Sequence, residues 1–313
     1  MIFNNTGKFA ENFYVLGHPC APVYLLDNGT SPALFDSGFS IMGNRYIEEI
    51  KKILKDRQPA FLFLTHAHFD HCGAAGLLKQ AFPGMKIVAS PLAKSIIDKP
   101  KALDLIRKLS AEALPLAAGL GLTSSNLPDF CPFPVDIAVS EGDTVSLEPD
   151  LSVCILETPG HTRDSLSYFI PEHGALLSGE ALGIPDATGY IISECPSNYD
   201  DYADSLQKLK ALAPDVVCLG HYKVYTGPDA AGYIDESLAH CIQFKGLVKT
   251  YLQEEQYDMD RVMQRFKKLE YEGKREDAHP EPAYFINLTA RIKTVLASYE
   301  KTGDAFWDNK LNL

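Results

Sequence analysis

Short apolar runs bounded by turn residues set the rhythm of the first two-thirds of the chain. They fall at residues 12–16, 23–27, 33–36, 61–64 and 86–89, and again at 151–157, 167–170, 175–178 and 216–219, each of strand length. Between them, apolar positions spaced three and four apart predict helices over 43–55, 74–80 and 199–212. Strands interspersed with helices in this order predict a layered α/β architecture. A further amphipathic pattern predicts one inserted helix over 101–122, followed over 123–134 by an irregular loop rich in proline, serine and asparagine. After residue 227 the pattern turns almost wholly helical, over 230–251, 259–269 and 281–299, with a polar break at 270–280. The expected organisation is a domain over 1–228, with an insertion near 100–134, and a helical C-terminal appendage over 229–313.

Composition narrows the class. At 313 residues, 46% apolar and 22% charged, the chain reads as an ordinary globular protein. A formal charge of −12 argues against nucleic acid as a partner, because phosphate contacts need a concentrated basic surface. Residues 1–17 show no basic stretch leading into a long apolar run, and no later segment is long and uncharged enough to span a bilayer. The expectation is a cytoplasmic protein without a membrane partner. Seven widely spaced cysteines with no C-x-x-C pair read as reduced thiols, several of them in the core.

The candidate chemistry is concentrated at Thr65-His66-Ala67-His68-Phe69-Asp70-His71, directly after an apolar run. Three imidazoles and a carboxylate so close together are costly to satisfy in a core, whereas a divalent metal uses nitrogen and carboxylate ligands of this kind. The bland alternative is a solvated histidine-rich loop. Two histidines one residue apart can converge on one ion, and the following Asp-His pair points past it towards a second. Two ions about 3.5–4 Å apart can hold a hydroxide and clamp developing charge. His161 follows the run 151–157, Glu180 follows 175–178, and His221 follows 216–219. Singly, each is an ordinary loop residue; together with the 66–71 cluster, their shared placement after apolar runs marks them as ligands.

In sequence, His66-x-His68-x-Asp70-His71, then Pro-Gly-His161-Thr, Ser-Gly-Glu180 and Gly-His221 resemble the ordered motifs of the metallo-β-lactamase superfamily. The resemblance spans residues 12 to 228 and implies an α/β fold, an αββα four-layer sandwich with a dinuclear site at one edge of its two sheets. It implies that His66, His68 and His161 hold one ion, that Asp70, His71 and His221 hold the other, and that Glu180 bridges them. Asp36, in Leu-Phe-Asp36-Ser-Gly, matches the family's early Asp-x-Gly turn and is expected to orient a ligand; read alone, it is a turn-forming aspartate. Glu180 departs from the family's usual Asp, and its extra methylene either still bridges both ions or binds one and crowds the bridging hydroxide. Zinc is the first expectation for both ions, with iron and manganese as alternatives.

Within the superfamily, the glyoxalase II-like and quinolone-signal thioesterase-like members are the nearer likeness. It is carried by His-Phe-Asp-His-Cys-Gly at 68–73, Gly-Glu-Ala-Leu-Gly at 179–183, Tyr199 and Tyr202, and Asn287-Leu288 in the tail. This implies a small-molecule acyl substrate, a thioester or activated ester, attacked by hydroxide while Asp70, or water held near it, handles the leaving group's proton. Tyr190 and Tyr199, shortly after Glu180, are candidates to hydrogen-bond a substrate oxygen. Cys72 reads as a packed thiol rather than a redox or ligand group, and His18, His173, His240 and His279 as structural or surface residues. A lactonase or phosphodiesterase is the alternative on the same site. A nuclease lacks its basic exosite, a diiron oxygen-handling relative lacks its acidic residue in the cluster and its flavodoxin-like segment, and a mononuclear-iron sulfur dioxygenase is a minority reading. From another class, a metal-retaining regulatory or binding protein is the rival. The helical tail offers a homodimer surface.

Overall fold

The computed structural model describes residues 1–123, 127–274 and 280–303. They form two compact units. The first comprises Met1–Glu157, Asp164–Gly179 and Asp215–Gly227; the second comprises Thr158–Arg163, Glu180–Pro214 and the described residues from Pro228 onward. The helices after 228 therefore share a unit with segments that precede them in the chain.

Two seven-stranded sheets dominate the first unit. One has the strand order Gly7–Ala10, Phe13–His18, Ala21–Leu26, Ala33–Phe35, Phe61–Phe63, Lys86–Ala89 and Ile137–Ala138. The other runs Ile2–Phe3, Val224–Thr226, Val216–Cys218, Ala175–Leu177, Leu166–Ile170, Leu151–Glu157 and Thr144–Glu148. Side chains on a strand alternate between faces, and the first sheet is buried on both, so its strands read as continuous apolar runs rather than alternating ones. Val23, Leu25, Leu34, Leu62 and Ile87 pack under helices Gly43–Leu54 and Ala75–Ala81, against Tyr46, Ile50 and Leu78. Their neighbours Tyr24, Leu26, Phe35, Phe63 and Val88 face the other sheet, meeting Val153, Ile155, Leu166, Tyr168, Ile170 and Leu177.

The predicted runs appear as strands within a residue or two of their expected ends. The pattern over 101–122 resolves differently. The helix spans Pro100–Glu112 and gives way to a 3-10 turn at Leu114–Leu116, because Pro115 removes a backbone donor and its ring clashes with the preceding turn. A helix at Pro91–Ile97 carries no long apolar period; Ser90 caps it, its hydroxyl accepting from the Ala93 N–H at 3.0 Å, with Pro91 at the first helical position. Of the loop expected at 123–134, residues 124–126 lie outside the described part, as do residues 275–279 of the expected break, including His279.

The second unit is mainly helical, with Tyr199–Ala211, Pro228–Glu254, Met259–Glu270 and Glu281–Thr302, plus a two-stranded ribbon of Ile184–Pro185 and Ile191–Ile192. No described helix is long and apolar enough to cross a membrane. None of the seven cysteines, all among the described residues, is in a disulfide.

Candidate metal centre

In the first unit the chemistry gathers where parallel strands end. Ala33–Phe35 and Phe61–Phe63 run parallel, so the residues just beyond them, Asp36 and Thr65, emerge side by side, as ligand-bearing loops do at the carboxyl edge of parallel strands. The Thr65 N–H donates to Asp36 Oδ1 at 2.8 Å, and its hydroxyl lies 2.9 and 3.0 Å from the two carboxylate oxygens. Asp36 also accepts from His71 Nδ1 at 2.8 Å. Its backbone is left-handed, with φ 56°, a conformation that aspartate tolerates better than most residues. The turn is tied to the metal loop through Ser37, whose N–H donates to the His71 carbonyl at 2.7 Å.

These bonds decide which imidazole nitrogen faces inward. A carboxylate on Nδ1 makes that atom the proton carrier, leaving His71 Nε2 with the lone pair. His221 follows Val216–Cys218, and its Nδ1 bonds the Cys20 carbonyl. A carbonyl only accepts, so here too Nε2 carries the lone pair. Asp70 Oδ2 lies 3.9 Å from His71 Nε2 and 3.7 Å from His221 Nε2. An ion roughly 2.1 Å from each ligand would separate tetrahedral ligand atoms by about 3.4 Å, so this donor set fits a divalent cation. His66 sits beside it, its ring 4.2 Å from that of His71, with Nδ1 3.0 Å from the Thr65 hydroxyl. His68 is exposed, its ring 4.5 Å from His66. His66, Asp70, His71 and His221 are buried. Buried imidazoles at such spacing repel one another when protonated and are stabilised by a cation that their lone pairs share.

Close backbone packing makes room for this set. A Cβ on Gly220 would lie 2.9 Å from the Gly179 carbonyl carbon and 3.0 Å from His71 Cε1. Asp164, absent from the sequence-based candidates, accepts from the Ala67 N–H at 2.8 Å and so holds the His66–His68 loop. Cys72 is fully buried beneath the loop. Burial, with Asp70, Asp36 and Asp164 adding, pushes its thiol well up, so it remains a protonated, packed thiol.

The second unit holds the other expected ligands. His161 follows Pro159-Gly160, a turn seated on helix Tyr199–Ala211; Gly160 has φ 128°, and a Cβ there would lie 2.3 Å from Tyr202 Cα. The Gly160 carbonyl accepts from the N–H groups of Ser197 and Asn198 at 3.1 Å each, and Ser205 Oγ donates to the Pro159 carbonyl at 2.8 Å. His161 Nε2 lies 2.6 Å from Glu180 Oε2, and its Nδ1 lies 3.9 Å from Glu194 Oε2. His161, Glu180 and Glu194 are all buried and present ligand atoms within 4.8 Å of one another. Glu194 was invisible in the sequence, a single acid between serine and cysteine with no spacing to mark it.

The two tyrosine candidates have partners inside the second unit. Tyr190 donates to Glu270 Oε1 at 3.4 Å and Tyr199 to the Cys241 carbonyl at 3.2 Å. Burial raises both phenols well above their ordinary value, Glu270 adding to it at Tyr190 and Cys241 at Tyr199. His240 is structural, accepting from the Ile191 N–H.

Comparison with known proteins follows the same lines. The chain is 27% identical over 180 residues to an acyl-coenzyme A thioesterase of Gallus gallus, covering 54% of this chain and 58% of that protein. It is 28% identical over 166 residues to a hydroxyacylglutathione hydrolase of Bradyrhizobium, covering 53% and 47%. The chain thus spans about half the length of these relatives. The crystal structure of a metallo-beta-lactamase family protein from Thermus thermophilus superposes with a TM-score of 0.60 at 19% identity, covering 94% of this chain and 95% of that one, and shows the shared αββα fold. The metallo-beta-lactamase superfamily model matches residues 21–221, the stretch that carries every motif from the Asp36 turn to His221, and the chain belongs to that superfamily.

Proposed function

We propose that this chain is a dinuclear metal-dependent hydrolase of the superfamily, acting on an acyl bond of a thioester or activated ester. The observation that carries the reading is the buried convergence of His66, His71, His221 and Asp70, with Asp36 on the outer nitrogen of His71. His66, His68 and His161 are assigned to one ion, Asp70, His71 and His221 to the other, and Glu180 is shared. When bound, two such ions supply Lewis acidity and a lowered pKa for water. Zinc suits these ligands, as do iron and manganese.

The chain's own groups do the rest. Asp36 and the Cys20 carbonyl hold His71 and His221 in the tautomer whose Nε2 can ligate. Asp70 also serves to carry the proton of the departing group. A thiol leaving group has a pKa near 8.5 and needs little acid assistance, so a thioester asks little more of the site than Asp70 can supply. The named activities of the two relatives, an acyl-coenzyme A thioesterase and a hydroxyacylglutathione hydrolase, point the same way.

The test is elemental analysis of protein purified without added metal, paired with hydrolysis of a small thioester panel that includes acyl-coenzyme A and acylglutathione esters. Close to two metals per chain with turnover is the expected result. Two metals without turnover on thioesters, lactones or phosphodiesters would turn the reading towards a regulatory protein, and failure to take up metal under any loading condition would overturn it.

A further inference from the structure

The last described helix, Glu281–Thr302, presents Asn287, Arg291, Thr294 and Ser298 on one side, at the three- and four-residue spacing that aligns side chains along a helix. Three of them grip three consecutive residues. Arg291 Nη1 donates to the Ser193 carbonyl at 3.5 Å, Asn287 Nδ2 donates to the Glu194 carboxylate at 2.8 Å, and Thr294 Oγ1 donates to the Cys195 carbonyl at 2.8 Å. Ser298 continues the row by bonding Asp200 at the start of helix Tyr199–Ala211. The segment between the ribbon and that helix is therefore held residue by residue from the C-terminal tail.

The middle residue of the gripped segment faces the candidate ligands. The Glu194 oxygen that accepts from Asn287 is the same Oε2 that lies 3.9 Å from His161 Nδ1, on the side of the ring away from Glu180. At 3.9 Å this is a charge contact rather than a hydrogen bond, and a carboxylate facing the outer nitrogen of a ligating histidine favours the proton there, which leaves the inner nitrogen to the metal. We propose that Glu194 is a positioning residue for His161 and that the C-terminal helix, through Asn287, sets its aim. This makes the tail part of the metal-binding apparatus. The inference rests on the reading of His161 as a ligand, and it extends that reading to Glu194, which no motif marks, and to Asn287 of the tail.

Full-length protein suits the test, with binding of Co²⁺ measured by visible absorbance against a competing chelator, so that the readout is metal affinity and not turnover. Asn287 is only half-buried, and Asn287→Ala places a stronger helix former in the same helix, so the fold is retained. Asn287→Ala and Glu194→Gln are each expected to weaken Co²⁺ binding about tenfold, and Asn287→Gln, which keeps an amide donor, to recover part of the loss. Wild-type affinity in both Asn287→Ala and Glu194→Gln would overturn the proposal. So would outright loss of one ion in Glu194→Gln with Asn287→Ala silent, which would make Glu194 itself a ligand. Absence of Co²⁺ binding by the wild type would instead defeat the metal reading, and this inference with it.

Discussion

Asp36 compresses several demands into one residue. It sits at positive φ, takes two bonds from Thr65, and points its second oxygen at His71 Nδ1. Asparagine tolerates the same backbone region and keeps the shape, but it loses the charge that makes the His71 contact strong. Asp36→Asn is accordingly expected to fold normally and to bind metal about tenfold more weakly, as judged by chelator competition; an unchanged affinity would show that Asp36 is a turn residue and no more. At this scale the histidines were legible in the sequence because three of them crowd one short segment, a density that no core tolerates cheaply. Asp164 and Glu194 were not legible. A single acid in a loop has no period, and only folding shows that one reaches the Ala67 N–H and the other faces His161.

Among the elements, the C-terminal helices show how a polar cluster can lie inside an apolar pattern. Arg291 is fully buried on Glu281–Thr302 and forms a forked pair with Glu270 of Met259–Glu270, at 2.6 and 3.3 Å. Tyr190 and Tyr284 also donate to that carboxylate. Burial acts to lower the Arg291 pKa, but Glu270 first and Glu194 next more than offset it and hold the guanidinium charged. Removing one partner strands the other charge. Arg291→Met should cost about 3–5 kcal/mol in urea unfolding, whereas Arg291→Met with Glu270→Met should recover most of it; a single variant as stable as wild type would show that the pair carries no such strain. Helical spacing revealed these helices but not their polar contacts. Of the strands that escaped notice, Ile2–Phe3 and Ile137–Ala138 are too short to show any period and exist because a neighbouring strand pairs with them.

For the molecule as a whole, the proposed metal site carries a prediction about stability. A ligand that binds only the folded chain stabilises it by about 2.7 kcal/mol when its free concentration is a hundred times its dissociation constant, and within the first unit His66, Asp70, His71 and His221 come together only once the chain has folded. Stripping metal with a chelator is expected to lower the thermal midpoint by several degrees and re-addition of Zn²⁺ to restore it, followed by calorimetry; a midpoint indifferent to chelation would argue against a resident metal. The net charge of −12 belongs to this scale as well, since it bears on which partners approach and not on how the chain folds.

The sequence by itself determined the superfamily, the alternation of strands and helices, and the dense cluster of candidate ligands, because these are written in local period and in residue types whose burial is costly without a partner. Tertiary structure decided which nitrogen of His71 and of His221 faces inward, which lone carboxylates lie beside the histidines, and that the final helix grips residues 193–195. Those depend on contacts between residues as far apart as Cys20 and His221, or Glu194 and Asn287, and no local pattern records a partner that arrives only when the chain has closed on itself.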